Sequence, residues 1–227
     1  MLSHLAYGAI RAARNLCLTL ALPISVAAGP LYAQEVTILA LGDSLTAGYG
    51  LSDGDGLVPR LNDWLDKSGT DATVLNGGVS GDTSAGGLSR LEWSLTPEVD
   101  AMIVTLGGND LLRGLPPETT RANIRAILTI AQARNLDVLL IGMKAPGNFG
   151  PEYKTSFDSL YADLAAEFGA MHLDSYFGLL DPTAADPGQL RQFMQDDGIH
   201  PNAAGVEQIV ANLGPHVLAL IEKAKAP

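Results

Sequence analysis

From Val36 onward, short runs made almost entirely of apolar residues alternate with longer stretches whose apolar residues recur every three or four positions. The runs are Val36–Leu41, Ala72–Leu75, Ala101–Leu106, Val138–Ile141 and Ala170–Leu173. Between and after them, helical spacing is carried by Leu57, Leu61, Trp64 and Leu65, and by Leu88, Leu91 and Leu95. It continues in Ile124, Ile127, Leu128 and Ala131, where Pro117 is placed to open the helix. Phe157, Leu160, Tyr161, Leu164 and Phe168 form the next stripe, and Val206, Ile209, Val210, Leu213 and Val217 the last, which is expected to bend near Pro215. Strands alternating with helices predict a parallel sheet covered on both sides, and continuously apolar strands are what burial of both faces requires. The pattern predicts a single domain of five βα units, with no repeat, linker or low-complexity segment.

The first 33 residues do not follow this pattern. They contain Arg11 and Arg14 and no acidic residue, followed by an apolar run of about 13 residues from Leu16 to Ala28. That is too short to cross a hydrocarbon core of roughly 30 Å as a helix, and it is the length of a signal-peptide core. Leu31-Tyr32-Ala33 ahead of Gln34 supplies a small residue at the cleavage position. The expectation is a signal peptide over 1–33, a mature domain over 34–227, a periplasmic or secreted location, and no stable membrane anchor after cleavage. Cys17 is the only cysteine and lies in the leader, so disulfide and cysteine chemistry leave with it; Leu16 before it is too large for a lipoprotein signal. Two of the 14 basic residues also leave, so 12 remain against 25 acidic ones, a formal charge of −13. That surface repels nucleic acid and anionic membranes.

In open parallel sheets the ligand site lies beyond the carboxyl ends of the strands. The loops there read Gly42-Asp43-Ser44-Leu45, then Gly77-Gly78-Val79-Ser80-Gly81-Asp82, then Gly107-Gly108-Asn109-Asp110, and finally Asp196-Asp197-Gly198-Ile199-His200-Pro201. Three histidines follow the leader: His172 falls in a strand pattern, His216 in a helical stripe, and His200 in a loop at the active edge. His200 is therefore the candidate general base. Asp196 and Asp197 both lie within one helical turn of it, and spacing does not choose between them. A metal is not expected, because no second histidine stands near this group. No P-loop, dinucleotide fingerprint or Gly-x-Ser-x-Gly elbow occurs, so no cofactor is expected.

Taken together, the four stretches resemble the four blocks of the SGNH/GDSL hydrolases in order and spacing. Across nearly the whole length after the leader, the chain is similar to the periplasmic acyl-CoA thioesterase/lysophospholipase/arylesterase group. The resemblance implies a flavodoxin-like three-layer α/β/α sandwich with five parallel strands in the order 2-1-3-4-5. It implies Ser44 as nucleophile, with Asp197, rather than Asp196, and His200 completing a triad. It also implies an oxyanion hole built from the Ser44 and Gly81 backbone N–H groups and the Asn109 amide. Asp43 is expected to be structural and Asp110 to serve a turn; Ala145–Gly150 resembles, more loosely, the family's substrate-lining loop. The expected substrate is a small-molecule or lipid acyl ester or thioester. An O-acetyl esterase acting on polysaccharide or cell-wall glycan would use the same residues. A silent lipid- or glycan-binding module fits less well, since the five site residues are intact and aromatics, at 6%, offer few stacking platforms for sugars. The sequence is compatible with a monomer and fixes no oligomeric state.

Overall fold

The computed structural model describes residues 35–180 and 187–226; the expected signal peptide lies outside them. Five strands, β1 (Val36–Gly42), β2 (Ala72–Gly78), β3 (Ala101–Thr105), β4 (Asp137–Ile141) and β5 (Met171–Leu173), form one parallel sheet in the order β2-β1-β3-β4-β5. This is the flavodoxin-like order that the resemblance implied. Each crossover carries a helix: α2 (Leu57–Lys67), α3 (Ser84–Ser94), α5 (Pro117–Ala133) and α6 (Pro151–Phe168), with α7 (Ala203–Ala224) closing the chain. Because the order reverses between β1 and β3, right-handed crossovers put α2 on one face and α3, α5 and α6 on the other. In agreement with this, α2 packs against α7, while α5 packs against both α3 and α6.

The central strands meet the expectation of double-sided burial: Ile38, Leu41, Met102, Val104, Leu139 and Leu140 are fully buried. The two edge strands depart from it. Leu75 in β2 is exposed, and all three residues of β5 are only half-buried, because an edge strand has a neighbour on one side only. The last apolar stripe runs on through Pro215 as one helix, although Pro215 has no N–H to donate to the carbonyl of Ala211. Among the described residues α7 alone is long and apolar enough to cross a membrane, but its apolar face, from Val206 to Ile221, is buried in the core.

Two short helices have no counterpart in the sequence pattern, since neither is long enough to show a period. These are α1 (Ser44–Ala47) at the end of β1 and α4 (Gly108–Leu112) at the end of β3. Both sit beside the reversal point, where β1 and β3 diverge to opposite sides and open a crevice. Close backbone approach holds α1 down. A Cβ on Gly78 would lie 2.3 Å from the Ala47 nitrogen, and one on Gly42 would lie 2.0 Å from Thr46 Oγ1. Gly78→Ala should therefore push α1 away from β2, costing about 1–3 kcal/mol in denaturant unfolding and displacing Ser44. Unchanged stability would mean that this contact yields freely.

Candidate active site

The carbonyl of Gly42 stands at the end of β1, just ahead of the site. It accepts the Val79 N–H at 3.1 Å and Arg90 Nη2 at 2.8 Å, while Arg90 Nε reaches Asp82 Oδ2 at 2.7 Å. The β2–α3 loop is thus tied to the exit of β1. Asp43 follows, buried, and its carboxylate caps α1 by accepting the Leu45 N–H at 3.0 Å. Ser44 then occupies the first helical position, half-buried, at the wall of an apolar cavity.

His200 reaches this serine from the far end of the chain. Its Nε2 lies 2.8 Å from Ser44 Oγ, and its Nδ1 lies 2.6 Å from Asp197 Oδ2. Asp197 Oδ1 accepts the backbone N–H groups of Ile199 and His200 at 2.9 and 3.0 Å. Those N–H donors and the imidazole bring the Asp197 carboxyl down to about 2, the His200 N–H acting most strongly. The turn closes on itself: Gln195 N–H donates to His200 O, Gly198 N–H donates to Gln195 O, and Met194 bridges to Pro201. Gln195 Nε2 also donates to the carbonyls of Tyr49 and Pro201, and the Tyr49 ring lies 4.7 Å, centre to centre, from the imidazole. Asp196 lines an outer groove, and the carboxylate that meets the His200 ring is that of Asp197.

The remaining two sequence-named residues face the same cavity. Gly81, at φ +88°, is on the β2–α3 loop, and its N–H donates to no acceptor among the described residues. Asn109, in α4, donates one amide hydrogen to Asp43 Oδ2 at 3.3 Å, leaving the other for the cavity it lines. Asp110 corrects its expected role as a turn residue. It is fully buried and accepts from Ser84 N (2.7 Å), Ser84 Oγ (2.5 Å) and Thr120 Oγ1 (3.1 Å), joining α4 to the start of α3 and to α5. A charge there is tolerable because its oxygens are met by donors.

The cavity holds about 260 Å³ and is walled by Leu45, Leu111, Leu112, Met143, Phe177 and Ile199. It continues into an outer groove of about 800 Å³ that shares Leu111, Leu112, Phe177 and Ile199 and adds Pro146, Leu180 and Met194. Pro146 is the one residue of Ala145–Gly150 in either space; Met143 and Lys144, just ahead of that loop, do more of the lining. Sequence reasoning missed most of these walls, along with Tyr49, because apolar residues in loops and one-turn helices carry no periodic signal.

Burial raises the Asp43 carboxyl from 3.8 to about 6, against the opposing pull of the Leu45 N–H, the Asn109 amide and His200. A carboxyl raised in the folded state favours folding when protonated, so its contribution is complete below 3.8 and is lost as the pH rises through about 6. Asp43→Asn removes this titration. Between pH 4 and pH 8 the unfolding free energy of the variant, relative to its parent, should move in its favour by about 2–3 kcal/mol in denaturant titrations. A constant difference would assign Asp43 an ordinary titration.

Comparison with known proteins identifies the family. Residues 40–208 match the model of the GDSL-like Lipase/Acylhydrolase family. Esterase TesA of Pseudomonas aeruginosa is 37% identical over 196 residues, covering 83% of this chain and 91% of that protein. The Escherichia coli K12 protein named Thioesterase 1/protease 1/lysophospholipase L1 is 40% identical over 168 residues, covering 73% and 76% respectively. Among solved structures, the SGNH-hydrolase family esterase AlinE4 aligns with a TM-score of 0.65 at 41% identity, covering 82% of this chain and 96% of that one. With its fold, its four loop blocks and these relatives in accord, the chain belongs to the GDSL-like lipase/acylhydrolase family.

Proposed function

We propose that this chain is an exported serine esterase that hydrolyses acyl esters and thioesters through an acyl-enzyme on Ser44. The observation that carries the reading is the continuous hydrogen-bonded line Asp197–His200–Ser44 at the wall of an apolar cavity. In the proposed reaction the acyl chain lies among Leu111, Leu112, Met143 and Phe177, bringing its carbonyl to Ser44 Oγ. As the oxygen–carbon bond forms, the hydroxyl proton passes to His200 Nε2, and Asp197 stabilises the resulting imidazolium. The carbonyl oxygen becomes negative and is met by the N–H groups of Ser44 and Gly81 and by the Asn109 amide. Collapse expels the alcohol or thiol, which takes the proton from His200. Water then repeats the sequence on the acyl-enzyme, releasing the acid and restoring Ser44. Names of the relatives support esters and thioesters as substrates: one is an esterase, another a thioesterase and lysophospholipase. The apolar cavity favours fatty-acyl groups over the acetylated sugars of the alternative reading.

A fluorophosphonate probe should label wild-type protein and leave Ser44→Ala unlabelled. That variant should lose about 10⁶-fold in kcat on p-nitrophenyl esters, the scale of nucleophile loss in serine hydrolases. A folded but unlabelled wild type would overturn the assignment. Activity should fall as acid places a proton on the imidazole, whereas a flat profile from about pH 5 to 8 would contradict a histidine base. Export is proposed from the leader, and the N-terminus of the exported protein should be Gln34; intact Met1 on material recovered from the periplasm or medium would refute cleavage.

A further inference from the structure

The two oxyanion donors outside Ser44 come from loops that share no strand pairing. Gly81 follows β2 and Asn109 follows β3, and β1 lies between those strands. The sheet sets their separation only through β1, and side chains tie the two loops to each other directly. One tie is the buried Asp110–Ser84 pair, which holds the base of the two loops. The other lies at the surface: Arg113 Nη2 donates to the carbonyl of Gly81 at 2.8 Å.

We propose that Arg113 is a positioning residue for the oxyanion hole, holding Gly81 by its carbonyl and so limiting how far its N–H can swing from Asn109. The inference rests on the esterase reading above. Arg113 ends α4, and its N–H donates to the Asn109 carbonyl at 3.2 Å, so the guanidinium and the Asn109 amide belong to one turn. Gly81 needs such a clamp. A Cβ built on it would meet nothing within 4 Å, so open space lies on that side of its backbone, and glycine has unusual freedom at this left-handed φ. Among the described residues no other hydrogen bond reaches the N–H or carbonyl of Gly81. A charged planar donor is well suited to fix a carbonyl, because its bond is stronger and more directional than that of a neutral side chain. The guanidinium holds the peptide that follows Gly81, one Cα away from the N–H offered to the oxyanion. Arg113 is exposed and outside the core, so its loss leaves packing intact.

The test compares the parent, Arg113→Met and Arg113→Lys as full-length processed proteins. On a p-nitrophenyl ester, Arg113→Met should lower kcat by about 10- to 100-fold, below the 10²- to 10³-fold cost of removing a donor outright. KM should change less than about twofold, because the contact matters only as the oxygen becomes charged. Arg113→Lys should recover part of the loss. The inhibition constant of an alkyl trifluoromethyl ketone, which forms a charged tetrahedral adduct, should rise in step with the fall in kcat/KM. Thermal midpoints should stay together. An unchanged kcat in Arg113→Met, or a raised KM at unchanged kcat, would overturn the proposal, the latter by placing Arg113 in ground-state substrate binding. An inactive, unlabelled wild type would instead overturn the esterase reading.

Discussion

The arrangement depends on the position of β1 between β2 and β3 in parallel register. Gly42 is opposite Gly78 on one side and Thr105 on the other, so all three strands end at the same level. That level is where Asp43-Ser44, Gly81 and Asn109 leave the sheet. The Gly42 carbonyl then binds Val79 and Arg90, so the exit of one strand becomes the anchor for its neighbour's loop. A slip of β1 would turn buried side chains toward the wrong face and separate the loops together. Core packing and site geometry are thus the same constraint seen at two ends of a strand.

Much of this was legible in the residues. Apolar runs and helical stripes place all five strands and the five long helices, because those elements bury continuous faces and burial is what composition records. The four polar blocks locate the site, since the parallel-sheet rule says which loops to read. Spacing does not separate Asp196 from Asp197; the family resemblance implies Asp197, and it is Asp197 that is hydrogen-bonded to His200. What stayed hidden depends on contacts between distant, aperiodic positions. Asp110 looked like a turn residue because nothing local shows that Ser84 and Thr120 converge on it. The cavity walls, from Leu112 to Phe177, lie in loops and short turns whose paths follow from the completed sheet. The half-exposed edges of β2 and β5 arise in the same way, because sequence gives strand content before strand order.

Electrostatics separates the two aspartates that flank Ser44 and His200. Asp43 is held away from water and resists ionisation; Asp197 is at the surface and is anchored as an anion by three donors. The first orients a neutral amide, and the second fixes an imidazole. One residue type serves both purposes because burial and hydrogen bonding act in opposite directions on its charge.

Asp197 and His200 share one short turn that fastens to itself through Gln195, Gly198 and Pro201. The imidazole and its carboxylate therefore travel together as a prefabricated cartridge, and only its docking beside Ser44 must be achieved by the fold at large. Assembly of the centre is then a two-body problem rather than a three-body one. The same economy leaves a single weak seam: lifting this turn by an ångström or two uncouples the serine while the pair it carries stays intact.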